Sequence, residues 1–285
     1  MLSIICCSKN INQLENWKAN VKETVGCNYE IILIDNSTNK YSIFSAYNEG
    51  EKQAKGNLLC FVHEDVMFIS KDWGVVVENL FAEHKKMGLL GVVGGHVLPD
   101  TPCYYGDTQV LSGRIIDNNN KEHLMELYNS DAICDVVVVD GVWFCVRKDL
   151  FNRIHFDESF SGFHLYDMDI CMQVLQSGYD VKITKQIILQ HFFKGVNNPK
   201  MLMKNITVFY KKWQQYFPLL KGINMEEKYL SLIKASCSNY MTARQLFINY
   251  LHVYNSFDYK LGKFLTKPYK ICRYYINKLN KTKHN

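Results

Sequence analysis

No stretch of this sequence approaches the roughly 20 consecutive apolar residues that a membrane-spanning helix needs. The opening, Met1-Leu2-Ser3-Ile4-Ile5, has no basic lead and runs straight into a strand pattern, so a signal peptide is not expected. Ten cysteines occur, but none forms a CxxC pair, and no spacing suits zinc. They are scattered, and Cys6-Cys7, Cys60 and Cys145 sit inside apolar runs, where a free thiol behaves as a small hydrophobe. A reduced, cytoplasmic chain is expected rather than a disulfide framework. The net charge of +5 over 285 residues does not mark a nucleic-acid binder. No internal repeat or low-complexity segment is present.

What remains is a chain that is 47% hydrophobic and long enough to bury a sizeable core, as one large domain or a domain with an appendage. Short β-rich runs, LSIICC (2–7), YEIILIDN (29–36) and NLLCFVHEDV (57–66), alternate with helical stretches. Ile11, Leu14, Trp17 and Val21 have helix spacing. A second helical stretch, 45–56, ends at Gly56, read as its C-cap. WGVVVENLFAEHKKMG reads as a helix and LLGVVGGHVL as a fourth strand. The alternation implies a doubly wound, parallel α/β sheet. Continuous rather than alternating apolar strands fit burial on both faces.

Residues 99–135 are rich in Pro, Gly, Asp and Asn and read as a long loop or hairpin excursion. Strand signal returns over 133–151, with Asp140-Gly141 as a break. YDMDICMQVLQSGYDVKIT reads as a helix closed by Gly178 and then a strand, and IILQHFF (187–193) is the last strand-like run. Beyond about 196 the pattern is helical. Residues 259–285 carry eight basic side chains and no acid, with apolar residues at spacings of three and four. Two readings fit this tail: a helix at a membrane surface, or a terminal helix docked on the core with a solvated basic face.

In an open α/β sheet, ligands bind beyond the carboxyl ends of the strands. Ser8, Asp35-Asn36 and His63-Glu64-Asp65 all fall at such ends. Carboxylates and an imidazole interrupting a buried run suit a divalent cation, which bridges phosphate oxygens in turn.

At this point the order of motifs resembles the GT-A glycosyltransferases, in particular the large family 2 group of inverting enzymes. LSIICCSKN resembles the opening strand and nucleotide loop. YEIILIDNSTN resembles the second strand, AYNEGEKQAKGNLLCFVHEDV the stretch leading to the acidic metal motif, and VVDGVWFCVRKDLF the acceptor-side strand. FDESFSGFHLYDMDICMQVLQSGYDV resembles the segment bearing the catalytic acid pair. The resemblance implies a GT-A domain over 1–195, Rossmann-like with a mostly parallel sheet, and a helical C-terminal extension over 196–285.

It also implies roles. His63 and Asp65 occupy the outer positions of the Asp-x-Asp metal motif, with His63 a departure. Mn²⁺ or Mg²⁺ is the implied cofactor, Mg²⁺ being less suited to an imidazole. His191 matches a further metal or diphosphate ligand, though a structural histidine fits as well. Asp35 would bond the donor nucleoside. Ser8, Asn48, Lys55 and Glu64 would complete the donor site, with turn chemistry, helix packing and surface charge as plainer explanations. Asp167 keeps the position of the general base, while Tyr166 replaces the usual Glu. Asp140, Gly141, His164 and Asp169 would line the acceptor or sugar pocket; Trp143 fits either a sugar-stacking face or the core. The implied reaction is inverting transfer from a UDP-, GDP- or dTDP-type sugar to a glycan or lipid-linked glycan, at the inner face of a membrane if the tail anchors the chain. The alternative is a degenerate GT-A domain that only binds nucleotide or glycan. A nucleotidyltransferase is disfavoured, because CCSKNINQ has no glycine and one lysine.

Overall fold

The run Leu2–Ser8 forms the strand β1, which pairs in parallel with β2 (Tyr29–Asp35) on one side and β3 (Leu58–His63) on the other. The structure, a computed structural model, describes residues 1–98, 102, 104, 110–126, 131–192 and 199–222. Helices α1 (Ile11–Thr24) and α2 (Ile43–Gln53) connect these three strands. After β3 come β4 (Val66–Phe68), α3 (Trp73–Glu83), β5 (Met87–Gly91), β6 (Val93–Gly95) and β7 (Val97–Leu98). A hairpin of β8 (Leu111–Ile116) and β9 (Glu122–Glu126) follows, then β10 (Ile133–Val136), β11 (Val138–Val139) and β12 (Trp143–Arg147). The chain continues through α4 (Tyr166–Gln176), β13 (Asp180–Thr184), β14 (Leu189–His191), α5 (Pro199–Trp213) and β15 (Leu219–Leu220).

The main sheet has the order β10-β13-β5-β12-β3-β1-β2. β1, β2, β3, β5 and β13 run one way; β10 and the central β12 run the other. The expected parallel sheet is thus present, with one antiparallel strand inserted at its centre. Successive residues of its inner strands feed opposite cores. Ile5, Leu59, Phe61 and Phe144 join α2 and α4 on one face. Ile4, Cys60, Val62, Trp143 and Cys145 join α1 and α3 on the other. Both faces are buried, so the strands carry apolar residues without alternation.

A second sheet, β11-β6-β8-β14-β4 with β9 on its edge, stands beside the first. The single strand expected over LLGVVGGHVL is divided between sheets: β5 belongs to the first, β6 to the second, and β7 pairs with β15. Gly56 is not the cap of α2. That helix ends at Gln53 with Ala54 as its C-cap, and a Cβ on Gly56 would lie 2.7 Å from the Met1 carbonyl and the Ser3 amide. Gly56 is required there by a close backbone approach.

Helix α5 docks through Asn205, whose side-chain amide donates to the Ser161 and His164 carbonyls at 2.8 and 2.9 Å. Among the described residues no helix is long and apolar enough to cross a membrane. The helices expected beyond 222 and the basic stretch 259–285 lie outside the described residues.

Candidate active site

Strand register assembles the first part of the site. Ser8 is opposite Asp35, and Cys7 is opposite His63, so the polar ends of β1, β2 and β3 share one edge. Past that edge, Asp65 and His191 are brought together by the second sheet. His191 pairs with Val66 across β14 and β4, and the Phe192 amide donates to the Asp65 carbonyl at 2.8 Å. His191 Nε2 then lies 3.4 Å from Asp65 Oδ1, and His63 Nδ1 lies 3.9 Å from the same oxygen. One ligand atom from each of His63, Asp65 and His191 falls within 4.8 Å of the other two.

Two imidazoles and a carboxylate form a donor set that a first-row divalent cation such as Mn²⁺ accepts more readily than Mg²⁺, which holds to oxygen ligands and its waters. Burial lowers the His63 pKa, against the pull of Asp65, and a metal ligand must be a neutral imidazole. Burial opposes ionisation of Asp65, but the bond and charge of His191 and the charge of His63 hold its carboxyl below the usual range. The three residues therefore fit a divalent cation.

Asp167, in the first turn of α4, is 5% exposed. Its Oδ2 accepts from the Gly141 amide at 3.0 Å and its Oδ1 from the Met168 amide at 2.9 Å. Burial, and then the charge of Asp140, push its pKa up to about 7. Asp140 itself accepts from the Val142 amide at 2.9 Å. The Gly141 carbonyl in turn accepts from the Tyr166 hydroxyl at 2.9 Å, and that hydroxyl lies 2.6 Å from His63 Nε2. One residue, Gly141, thus touches both the candidate base, through its N–H, and the side chain that reaches the cation cluster, through its carbonyl. A Cβ on Gly141 would collide with the Tyr166 hydroxyl.

Beside the end of β1, Glu64 Oε2 accepts from Ser8 Oγ at 2.5 Å, the Lys9 amide at 2.8 Å and the Asn10 amide at 3.1 Å. Glu64 and Ser8 are therefore partners, and Glu64 holds the loop entering α1. Asp35 is exposed at the tip of β2, where the Ser37 amide bonds its Oδ1 at 2.9 Å and lowers its pKa. His164 is half-buried behind the exposed Phe163, and burial lowers its pKa.

Four expected site residues lie elsewhere. Asn48 clamps the Phe156 segment, with its amide accepting from the Phe156 N–H at 3.0 Å and donating to the Phe156 carbonyl at 2.8 Å. Lys55 is exposed and precedes β3, whose six residues, at about 3.3 Å each, separate it from His63. Trp143 is fully buried, edge-on to Trp73 at 6.0 Å, in the core rather than on a sugar. Asp169 is 1% exposed, its oxygens engaged by Trp213 at 2.7 Å, Gln173 at 2.7 Å and Lys212 at 3.0 Å. It joins α5 to α4 instead of lining the pocket, because its position two residues past Asp167 points it to the opposite side of the helix's first turn.

Sequence reasoning noted Tyr166 only as a departure and missed its contact with His63. Lys212 and Trp213 carried no signal at all, since a helix-terminal Lys-Trp pair looks like any other.

The profile of the glycosyltransferase-like family matches residues 3–212. No curated protein sequence matches the chain. Among solved structures, GalNAc-T7, determined with UDP, GalNAc and Mn²⁺, superposes with a TM-score of 0.54 at 12% identity, covering 75% of this chain and 48% of that one. The chain thus spans about half of that protein, and the likeness is one of GT-A fold. A197 from STIV aligns over 68% of this chain and 86% of its own at 14% identity, with a TM-score of 0.38.

Proposed function

We propose that this chain, which belongs to the glycosyltransferase-like family, is an inverting enzyme that moves a sugar from a nucleoside diphosphate to a hydroxyl of a glycan or lipid-linked glycan. The observation that carries this reading is the position of Asp167. A buried carboxyl with a pKa near 7 sits one peptide away from the residue that touches His63. Inversion needs a single carboxylate that takes the acceptor hydroxyl's proton while the hydroxyl attacks the anomeric carbon from the face opposite the leaving diphosphate.

Asp167 keeps accepting capacity for that proton, because each of its oxygens takes one backbone N–H and has a second lone pair. The two N–H bonds aim the carboxylate and favour its charged form, while burial keeps its basicity near neutral pH. On the other side, His63, Asp65 and His191 would hold a divalent cation, which supplies charge neutralisation for the departing diphosphate. Ser8, Glu64 and Asp35 line the strand edge where a nucleoside would lie. Glu64 orders the loop after β1, so that the loop is formed before the donor arrives. Asp140 and Gly141 border the base and fit the acceptor side. The basic, apolar stretch 259–285 supports a lipid-linked acceptor at a membrane surface.

The test is a thermal-shift series with UDP, GDP, dTDP and CMP, each with and without Mn²⁺. A ligand specific for the native state raises the melting temperature according to its affinity. One diphosphate that stabilises the protein, and stabilises it further with Mn²⁺, is the expected outcome. Stabilisation indifferent to Mn²⁺ would remove the cation from the mechanism, and no stabilisation by any nucleotide would overturn the reading.

A further inference from the structure

The two positions that depart from the family 2 pattern, His63 and Tyr166, are hydrogen-bond partners at 2.6 Å across a separation of 103 residues. Their proton inventory is restrictive. A tyrosine hydroxyl has one proton to give, and Tyr166 donates it to the Gly141 carbonyl at 2.9 Å. The proton in the contact with His63 must then come from the ring, from Nε2. The reverse assignment, with Tyr166 donating to Nε2, leaves a carbonyl oxygen facing a hydroxyl oxygen at 2.9 Å with no proton between them. A neutral imidazole carries only one N–H, so Nδ1 keeps its lone pair. Nδ1 is the nitrogen that lies 3.9 Å from Asp65 Oδ1, toward the cluster with His191.

We propose that Tyr166 is a positioning residue that locks His63 in the Nε2–H tautomer, so that Nδ1 joins Asp65 and His191 as a ligand of a first-row divalent cation. This rests on the cation-dependent reading given above. It makes the two departures one replacement. An aspartate needs no tautomer to be set, but an imidazole does, and the residue that sets it occupies the place of the family's usual glutamate. The missing side chain at Gly141 belongs to the same device, since any Cβ there would displace the hydroxyl. Partners behind a ligating histidine fix ring orientation and basicity, and losing one costs about 10–100-fold in metal affinity.

The test uses the full chain and Mn²⁺ itself. Long-range ¹⁵N–¹H NMR of histidine-labelled protein without metal should show His63 protonated at Nε2, and in Tyr166→Phe that single tautomer should be lost. Mn²⁺ titration followed by electron paramagnetic resonance should show Tyr166→Phe binding about 10–100-fold more weakly. In a His63→Asp background, which has no tautomer to set, the same substitution should change affinity by no more than about twofold. That double comparison separates positioning from loss of fold, because a folding defect would weaken both backgrounds. An Nδ1–H tautomer in the wild type, or equal losses in both backgrounds, overturns the proposal. If the wild type binds Mn²⁺ no better than His191→Ala, the cation reading itself falls, and the proposal falls with it whatever the tautomer.

Discussion

Trp213 donates its indole N–H to Asp169 at 2.7 Å, and Lys212 closes on the same carboxylate at 2.9 Å. Two adjacent residues at the end of α5 thus neutralise and saturate an acid in the first turn of α4. The carboxylate two residues earlier, Asp167, takes the Gly141 and Met168 amides and, among the described residues, no cation. Two acids of one YDMD cluster have been given different work by their surroundings.

Asp169→Ala should therefore act on stability. It leaves Lys212 with the Asp157 carboxylate at 2.6 Å and Gln173 with the His155 carbonyl at 2.8 Å, but deprives the Trp213 indole N–H of its acceptor. Leaving a buried donor unsatisfied costs about 1–3 kcal/mol, so the unfolding free energy from urea titration should fall by about that amount. A loss under about 1 kcal/mol, in the range of an exposed ion pair, would show that α5 does not depend on this contact.

Asp167→Asn should act on turnover instead. Removing a general base costs about 10²–10⁴-fold in rate, while the nucleotide-induced thermal shift should persist. In the wild type, the single-turnover rate should rise with pH and level off above about 7, where the carboxyl is ionised. A flat profile between pH 5 and 8 would remove Asp167 from the proton transfer.

The same group makes a prediction about stability. The folded pKa of Asp167 is raised to about 7, against about 3.9 for the unfolded chain. Its stabilising contribution is full below the unfolded value and is lost as pH rises through the folded one, at up to about 1.4 kcal/mol per unit. Asparagine has no such titration. The melting temperature of Asp167→Asn should therefore exceed that of the wild type by more at pH 8 than at pH 5. Parallel melting curves at the two pH values would contradict this.

Glu64→Ala should loosen the loop entering α1. It leaves Ser8 Oγ and the Lys9 and Asn10 amides without the oxygen they share. Hydrogen bonds to a charged group contribute about 1.5–3 kcal/mol each when buried, and less here because part of the contact is solvated. A stability loss of about 1–2 kcal/mol and a weaker nucleotide-induced shift are expected. Lys55→Ala, at the far end of β3, should change neither, and a weakened nucleotide shift in that variant would mean that the donor reaches beyond the strand ends.

Much of this architecture was legible because it is local. The runs at 2–7, 29–36 and 57–63 are bounded by polar residues and separated by helix-spaced segments, and parallel pairing then places Ser8, Asp35 and His63 at one edge whatever the details of packing. The Asp140-Gly141 break and the Gly178 stop were readable for the same reason: a turn residue acts on its own stretch of chain. The division of LLGVVGGHVL among three sheets was not readable, because continuous apolar sequence fits a buried strand in any of them.

The sequence by itself therefore determined which residues could stand at the mouth of a GT-A sheet, since period and punctuation decide where each strand ends. It did not determine what those residues do to one another. That His63 meets Tyr166, that His191 is carried to Asp65 by β14, and that Asp169 is claimed by α5 while Asp167 is not, were decided only by the tertiary structure. Each depends on contacts between distant segments, and neighbours, rather than residue type, set which carboxylate is neutralised and which nitrogen keeps its lone pair.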